Sequence, residues 1–179
     1  LTTIPHFDSI VDVGANIGNH SVFFGLFTDA SHILAIEPNP VAWAYLERNI
    51  TSNKLEEKVA VCRQAAGAEV RQVGLLPTDP HNVGGTGVCD GTGVWMSTVD
   101  MLFPWLQVPQ QVTLLKIDVE GYEMNVLAGA AKVIQYQHPH IFIEAQTAEQ
   151  KTEIDNFLRP YGYPPSTTQF NWTPTFAYY

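Results

Sequence analysis

Basic residues are scarce in this chain: nine lysines and arginines stand against eighteen aspartates and glutamates, a formal charge of −9 over 179 residues. A surface of that sign repels phosphate backbones, and no basic run interrupts it. The composition therefore argues against broad electrostatic binding of DNA or RNA and favours a small or neutral substrate. Cysteine is scarce too. Cys62 and Cys89 have neither CxxC nor metal-ligand spacing, which excludes a disulfide framework and points to a reducing, cytoplasmic compartment. No apolar stretch approaches the roughly 18 residues a membrane helix needs, and no signal-peptide pattern is present. The chain opens at Leu1 without a methionine, close to its first strand, as a piece of a longer product would. What is present, 45% hydrophobic and 15% charged residues, is an ordinary globular composition. The length suits one domain over residues 1–179.

Apolar runs alternate with helical patterns. Residues 9–13, 32–36, 59–63, 113–118 and 141–144 read as buried strands, which implies a parallel sheet covered on both faces. Helices are expected over residues 18–29, 40–53, 122–135 and 148–158. The second of these opens at Pro40 behind Asn39 as N-cap, with Val41, Ala44, Tyr45 and Ile50 turned inward. Glycines 84, 85, 87, 91 and 93 crowd the middle of the chain, a stretch expected to be a ligand-covering loop flanked by antiparallel strands at 70–76 and 93–99. Residues 167–179 read as two aromatic strands forming a hairpin at one edge of the sheet. Neither an internal repeat nor a linker divides the chain.

In a doubly wound sheet, ligands bind beyond the carboxyl ends of the strands where the strand order reverses. The first strand ends in DVGANIG (residues 12–18). Gly14 permits the tight turn off the strand, and Gly18 permits close approach of helix and ligand. The spacing is GxxxG, not the GxGxxG that cradles a pyrophosphate. Asp12 adds a carboxylate that would repel phosphates but suits the ammonium and sulfonium of S-adenosylmethionine. Glu37 follows Gly18 by nineteen residues at the end of the second strand, where an acidic residue accepts from a ribose diol. Together Asp12 and Glu37 predict a site for an adenosine without phosphates.

Here the chain resembles the FkbM family of class I S-adenosylmethionine-dependent methyltransferases. The resemblance lies in VDVGANIG (11–18), AIEPNP (35–40) and above all LLKIDVEGYEMNVLAGA (114–130), with smaller matches in NVGGTG (82–87), STVDML (97–102), IFIEAQ (141–146) and the closing NWTPTFAYY. It implies a Rossmann-like α/β fold: a doubly wound seven-stranded sheet in the order 3-2-1-4-5-7-6, strand 7 antiparallel, with helices on both faces. It implies methyl transfer to a hydroxyl of a small molecule, sugar or lipid-like acceptor, with S-adenosylhomocysteine as product. By the same resemblance Asp12, Gly14, Ala15, Asn16, Gly18, Asn19, Glu37, Pro38 and Asn39 would surround the methionine and ribose, and Gln64, Ala65 and Ala66 the adenine. Family members carry a helical segment ahead of the first strand that helps roof the acceptor pocket; here about eight residues precede it.

Moving a methyl from a sulfonium to an alcohol requires alignment and removal of a proton. Strand alternation sets Lys116 and Asp118 on one side, and Asp118, at the strand's carboxyl end, is expected to contact cofactor or acceptor. Glu120, Glu144 and His81 are the other candidate bases. Glu120 and Glu123 also suit a helix's first turn through its dipole alone, and His81 also suits a solvated surface. Lys116, a lysine in a core strand, calls for a buried partner, for which Glu144 is the candidate. No metal is expected, because Asp118, Glu144 and His81 lack the further oxygen ligands a hard cation needs. His20, His138 and His140 read as structural. Trp95, Trp105, Trp172, Tyr161, Tyr163, Tyr178 and Tyr179 suit either an acceptor pocket or packing. The alternatives are a catalytically inactive S-adenosylmethionine-binding module and an RNA ribose 2′-O-methyltransferase; the charge disfavours the latter, and the glycine spacing disfavours a nicotinamide oxidoreductase. A homo-oligomer is compatible with all of this.

Overall fold

The computed structural model describes residues 6–77, 86–103, 111–170 and 174–179. In chain order the elements are β1 (Ser9–Val13), α1 (Asn19–Phe27), β2 (His32–Ile36), α2 (Pro40–Ser52), β3 (Val59–Cys62), β4 (Ala65–Ala66), β5 (Arg71–Pro77), β6 (Thr86–Ser97), α3 (Val99–Leu102), β7 (Val112–Ile117), α4 (Glu123–Gly129), α5 (Ala131–Gln137), β8 (His140–Glu144), α6 (Ala148–Leu158), a 3-10 turn at Arg159–Tyr161, β9 (Gln169–Phe170) and β10 (Thr175–Tyr178).

Seven strands form one sheet in the order β3-β2-β1-β7-β8-β10-β9. The first five are parallel, and β10 runs antiparallel to both β8 and β9. With β7, β8, β9 and β10 taken as the fourth to seventh strands, this is the 3-2-1-4-5-7-6 order. Alternation splits the core by face. Val11, Val13, Leu34, Ile36, Leu115 and Ile117 pack with Val126, Leu127, Ile134, Ile154 and Leu158 of α4, α5 and α6. Ile10, Ile33, Ala35 and Leu114 pack with Phe24, Leu46 and Ile50 of α1 and α2. Strands buried on both sides explain the near-continuous apolar runs. At the register level, Asp12 lies between Ala35 of β2 and Lys116 of β7, so a carboxylate and an ammonium enter the α1/α2 face side by side.

Three local expectations are corrected. The glycine-rich stretch is not a loop over its described part: residues 86–97 form β6, which pairs with β5, and with β4 makes a second, three-stranded sheet. The register jumps from Val73↔Val94 to Gly74↔Cys89, so residues 90–93 bulge out and take up the glycines at 91 and 93. Residues 84 and 85 lie outside the described residues.

The helix expected over 122–135 is two. Ala130, at φ −109° and ψ 9°, separates α4 from α5, its N–H bonding back to Leu127 O in a tightened turn. In α2 the buried positions are Ala42, Leu46 and Ile50, while Val41, Ala44 and Tyr45 are exposed. The absence of a Cβ at Gly18 selects that face, because Leu46 Cδ1 sits 2.6 Å from where one would be.

Gly129 meets Gly67 backbone to backbone, and an added Cβ would lie 1.9 Å from the Gly67 carbonyl oxygen. Backbone cannot yield as a side-chain tip can. Gly129→Ala is expected to destabilise the protein by about 1–3 kcal/mol, read as a fall of several degrees in thermal midpoint; an unchanged midpoint would mean that the two segments part freely.

Candidate active site

The carboxyl ends of β1, β2 and β7 open onto a cleft that is partly open to solvent. Its floor is built by the loop after β1. Gly14 and Ala15 both donate to Ile36 O at 3.0 Å, and Gly18 N donates to Ala15 O. This ties the loop to β2 and forces Gly14, Asn16 and Gly18 to φ of +74°, +50° and +91°. Gly14 is doubly constrained, since a Cβ there would lie 1.8 Å from Asp118 O. Gly18 and Asn19 instead line a separate shallow groove with Val22 and Asn49, so Gly18 serves close packing on α2 and not the cleft.

Glu37 lines the cleft at the end of β2. Its Oε2 accepts from Asn16 N and its Oε1 from Asn39 N, both at 2.8 Å. Burial raises its carboxyl above the ordinary range, against those two N–H donors. Val13, Gly14, Asn16, Pro38, Ala65 and Ala66 complete the near wall. Asn39 caps α2 through Val41 N and donates from Nδ2 to Thr86 Oγ1 at 2.9 Å, which brings β6 to the cleft; Thr86 and Val88 line it. At the other end stand Asp118, Val119, Glu120 and Tyr122.

Asp12 and Lys116 sit beneath. Asp12 is fully buried, accepts from Ser21 Oγ at 2.6 Å and pairs with Lys116 Nζ at 2.9 Å; it does not line the cleft. Asp12 was expected to face the ammonium and sulfonium of the cofactor; its carboxylate is instead paired with the protein's own Lys116. Lys116 also donates to Gly14 O at 2.9 Å and lies 3.6 Å from Asp118. Burial works against its charge, but Asp12 and Asp118 more than offset that and hold the ammonium above its ordinary range. Its partners are therefore these two aspartates and not Glu144.

Glu144, at the end of β8, is buried and outside the cleft lining. Burial first, then Asp118, push its carboxyl up to about 7. Gln146 Nε2 donates to Glu120 Oε2 at 3.4 Å and Glu144 Oε2 at 3.5 Å. Burial, then Asp118, also raise the Glu120 carboxyl. Of the predicted residues, Ala15, Asn39 and Gln64 support the walls without lining the cleft, Gln64 accepting from Ser97 Oγ at 2.7 Å. His81, Trp105 and Trp172 lie outside the described residues. Tyr163 and Tyr178 are core residues bonded to Pro139 O and Asp155, and Trp95 lies on another groove. Val13, Ile36, Thr86, Val88, Val119 and Tyr122 were not foreseen; position at strand ends could have flagged the first two, and membership of KIDVEGY the last two. Among the described residues no group of three or more His, Cys, Asp or Glu could hold a metal ion, and no helix is long and apolar enough to cross a membrane.

A seven-stranded sheet of this order, with a glycine loop and a strand-end glutamate on one cleft, defines the class I methyltransferase fold. The family model described as Methyltransferase FkbM domain matches residues 12–165, and the chain belongs to that family. Methyltransferase sdnD of Sordaria araneosa is 24% identical over 97% of this chain and 80% of its own length. Hexuronic acid methyltransferase AglP of Haloferax volcanii is 29% identical over 72% of this chain and 52% of its own. The solved methyltransferase FkbM from Methylobacillus flagellatus KT superposes with a TM-score of 0.72 at 20% identity, covering all of this chain and 45% of that one. The chain thus spans about half of the latter two proteins. Family and fold together imply S-adenosylmethionine as methyl donor.

Lys116→Met leaves Asp12 buried without its counter-charge and is expected to cost about 3–5 kcal/mol in urea unfolding. Adding Asp12→Asn should recover part of that loss, whereas simple additivity would show the two uncoupled. For Glu144, raised from 4.5 to about 7, the folded state holds the proton that the unfolded state releases. Its contribution to stability is present below pH 4.5 and lost as pH rises to about 7. Glu144→Gln should flatten stability against pH across that window; an unchanged slope would exclude Glu144 as its source.

Proposed function

We propose that this chain transfers a methyl group from S-adenosylmethionine to a hydroxyl of a small-molecule acceptor, releasing S-adenosylhomocysteine. The lining of the cleft carries this reading: Glu37 at one end, Asp118 and Glu120 at the other, and neither lysine nor arginine among the described lining residues. Such a lining disfavours a pyrophosphate and favours a diol joined to a cation. Each Glu37 oxygen accepts one backbone N–H and keeps a second lone pair for a ribose hydroxyl. Asn16 Oδ1, buried and without a hydrogen-bond partner among the described residues, is a further acceptor that an ammonium or hydroxyl would satisfy. Bound here, the cofactor supplies an electrophilic methyl on a sulfonium.

The protein's part is to hold the reactants in line and to remove a proton. Asp118 adds negative potential at its end of the cleft. Glu120 lines the same end with a carboxyl raised by burial and by Asp118, which makes it a stronger base toward an alcohol's proton than an ordinary glutamate. Glu144, joined to it through the Gln146 amide, is a second carboxyl able to hold that proton. The Haloferax relative's name, a hexuronic acid methyltransferase, supports a sugar among the acceptors. Cys62 and Cys89 are free thiols, which supports a reducing compartment.

Calorimetry should show binding of S-adenosylmethionine and S-adenosylhomocysteine; tight NAD binding with no response to the sulfur ligands would overturn the reading. In a labelled-methyl screen over sugars, glycolipids, polyketides and capped RNA, Glu120→Gln is expected to lower kcat on the accepted substrate by about 10²–10⁴ with cofactor affinity unchanged.

A further inference from the structure

Glu120 and Gly121 adopt φ of +53° and +91°, two consecutive residues in the left-handed region, which disfavours any residue carrying a Cβ. Nothing lies within 4 Å of a Cβ built at Gly121, so glycine is required there by conformation and not by crowding. Glu120 has no such licence. Its conformation needs something outside itself to hold it.

That hold comes from Glu123. Fully buried in the first turn of α4, its Oε1 accepts from Val119 N at 3.3 Å and Gly121 N at 3.1 Å, and its Oε2 accepts from Gln150 Nε2 of α6 at 2.5 Å. The two backbone donors flank Glu120 on either side. A helix-dipole role alone would leave this carboxylate in solvent with no bonds into the preceding turn.

We propose that Glu123 is a positioning residue, clamping residues 119–121 from beneath so that Glu120 keeps the left-handed conformation in which it lines the cleft. The proposal rests on the reading of Glu120 as the group that takes the acceptor's proton. Glu123 also adds negative charge to a neighbourhood that already holds Asp118 and Glu144, the Gln146 amide, and Lys116 with Asp12 beneath, and its charge raises both Glu120 and Glu144. A carboxamide at 123 would keep an acceptor oxygen for the two N–H groups and remove the charge.

The test compares Glu123→Ala and Glu123→Gln with the unmutated protein in amide hydrogen exchange, S-adenosylmethionine calorimetry and methyl transfer against pH. In the alanine variant the Val119 and Gly121 amides should exchange about 10- to 100-fold faster, and kcat should fall about 100-fold with cofactor affinity unchanged. The glutamine variant should keep the protection, recover most of the transfer, and move the acid limb of the pH profile downward as the neighbouring charge is lost. Unchanged amide protection in the alanine variant, or lost protection with unchanged kcat, would overturn the proposal. Should the alanine variant not fold, the glutamine variant decides: an unmoved acid limb or lost protection overturns the clamp. If the unmutated protein methylates nothing in the screen, the functional reading fails by itself, and the amide exchange still decides whether Glu123 holds the turn.

Discussion

One ammonium group holds the floor of the cleft together. Lys116 Nζ reaches Asp12 on β1, the Gly14 carbonyl in the glycine loop and Asp118 beyond β7, so two neighbouring strands and the loops that leave them share a single buried cation. Taking both charges out of water is costly, and the arrangement is stable only because each finds several partners at once. Ser21 of α1 supplies one more, binding Asp12 from the helix side. Everything the cleft presents upward follows from this arrangement below it. Gly14 cannot shift without disturbing the lysine, and Asp118 cannot turn away without losing its attraction to it.

Much of the architecture was legible because buried parallel strands carry an unmistakable apolar signature, and because the glycine loop and the strand-end Glu37 declare where strand order reverses. KIDVEG named the family, and the family match bears that out. What could not be read was which way a polar side chain faces. Asp12 and Glu37 look alike in sequence, both acidic and both beside a strand's carboxyl end, yet one lies within the sheet's helix-covered face and the other at the cleft. Alternation separates them only once β7 is known to bring Lys116 opposite Asp12. The partner of Lys116 is illegible in sequence for the same reason: pairing across neighbouring strands is a matter of register, which apolar runs do not encode.

The wall formed by β6 was hidden for a different reason. Glycines concentrated at 84–93 suggest a loop, and glycine is unfavourable in a strand interior. Here the bulge at residues 90–93 absorbs two of them, and residues 86–89 keep pairing with β5. A hydrogen bond from Asn39 to Thr86 then draws that strand toward the end of β2. Tyr122 lines the cleft but carries no signal of its own in sequence, since an aromatic at the start of a helix suits packing equally well.

The lysine that steadies the glycine loop lies 102 residues further along the chain. During synthesis, at about 5–20 residues per second, the loop leaves the ribosome roughly 5–20 s before its anchor has been made. Until β7 docks, Asp12 is a carboxylate without its counter-ion and Gly14 a carbonyl without its donor, which favours keeping both in water. The first half of the chain therefore has reason to stay open while it waits. The floor of the cleft can close only when β7 arrives and the two halves of the sheet meet.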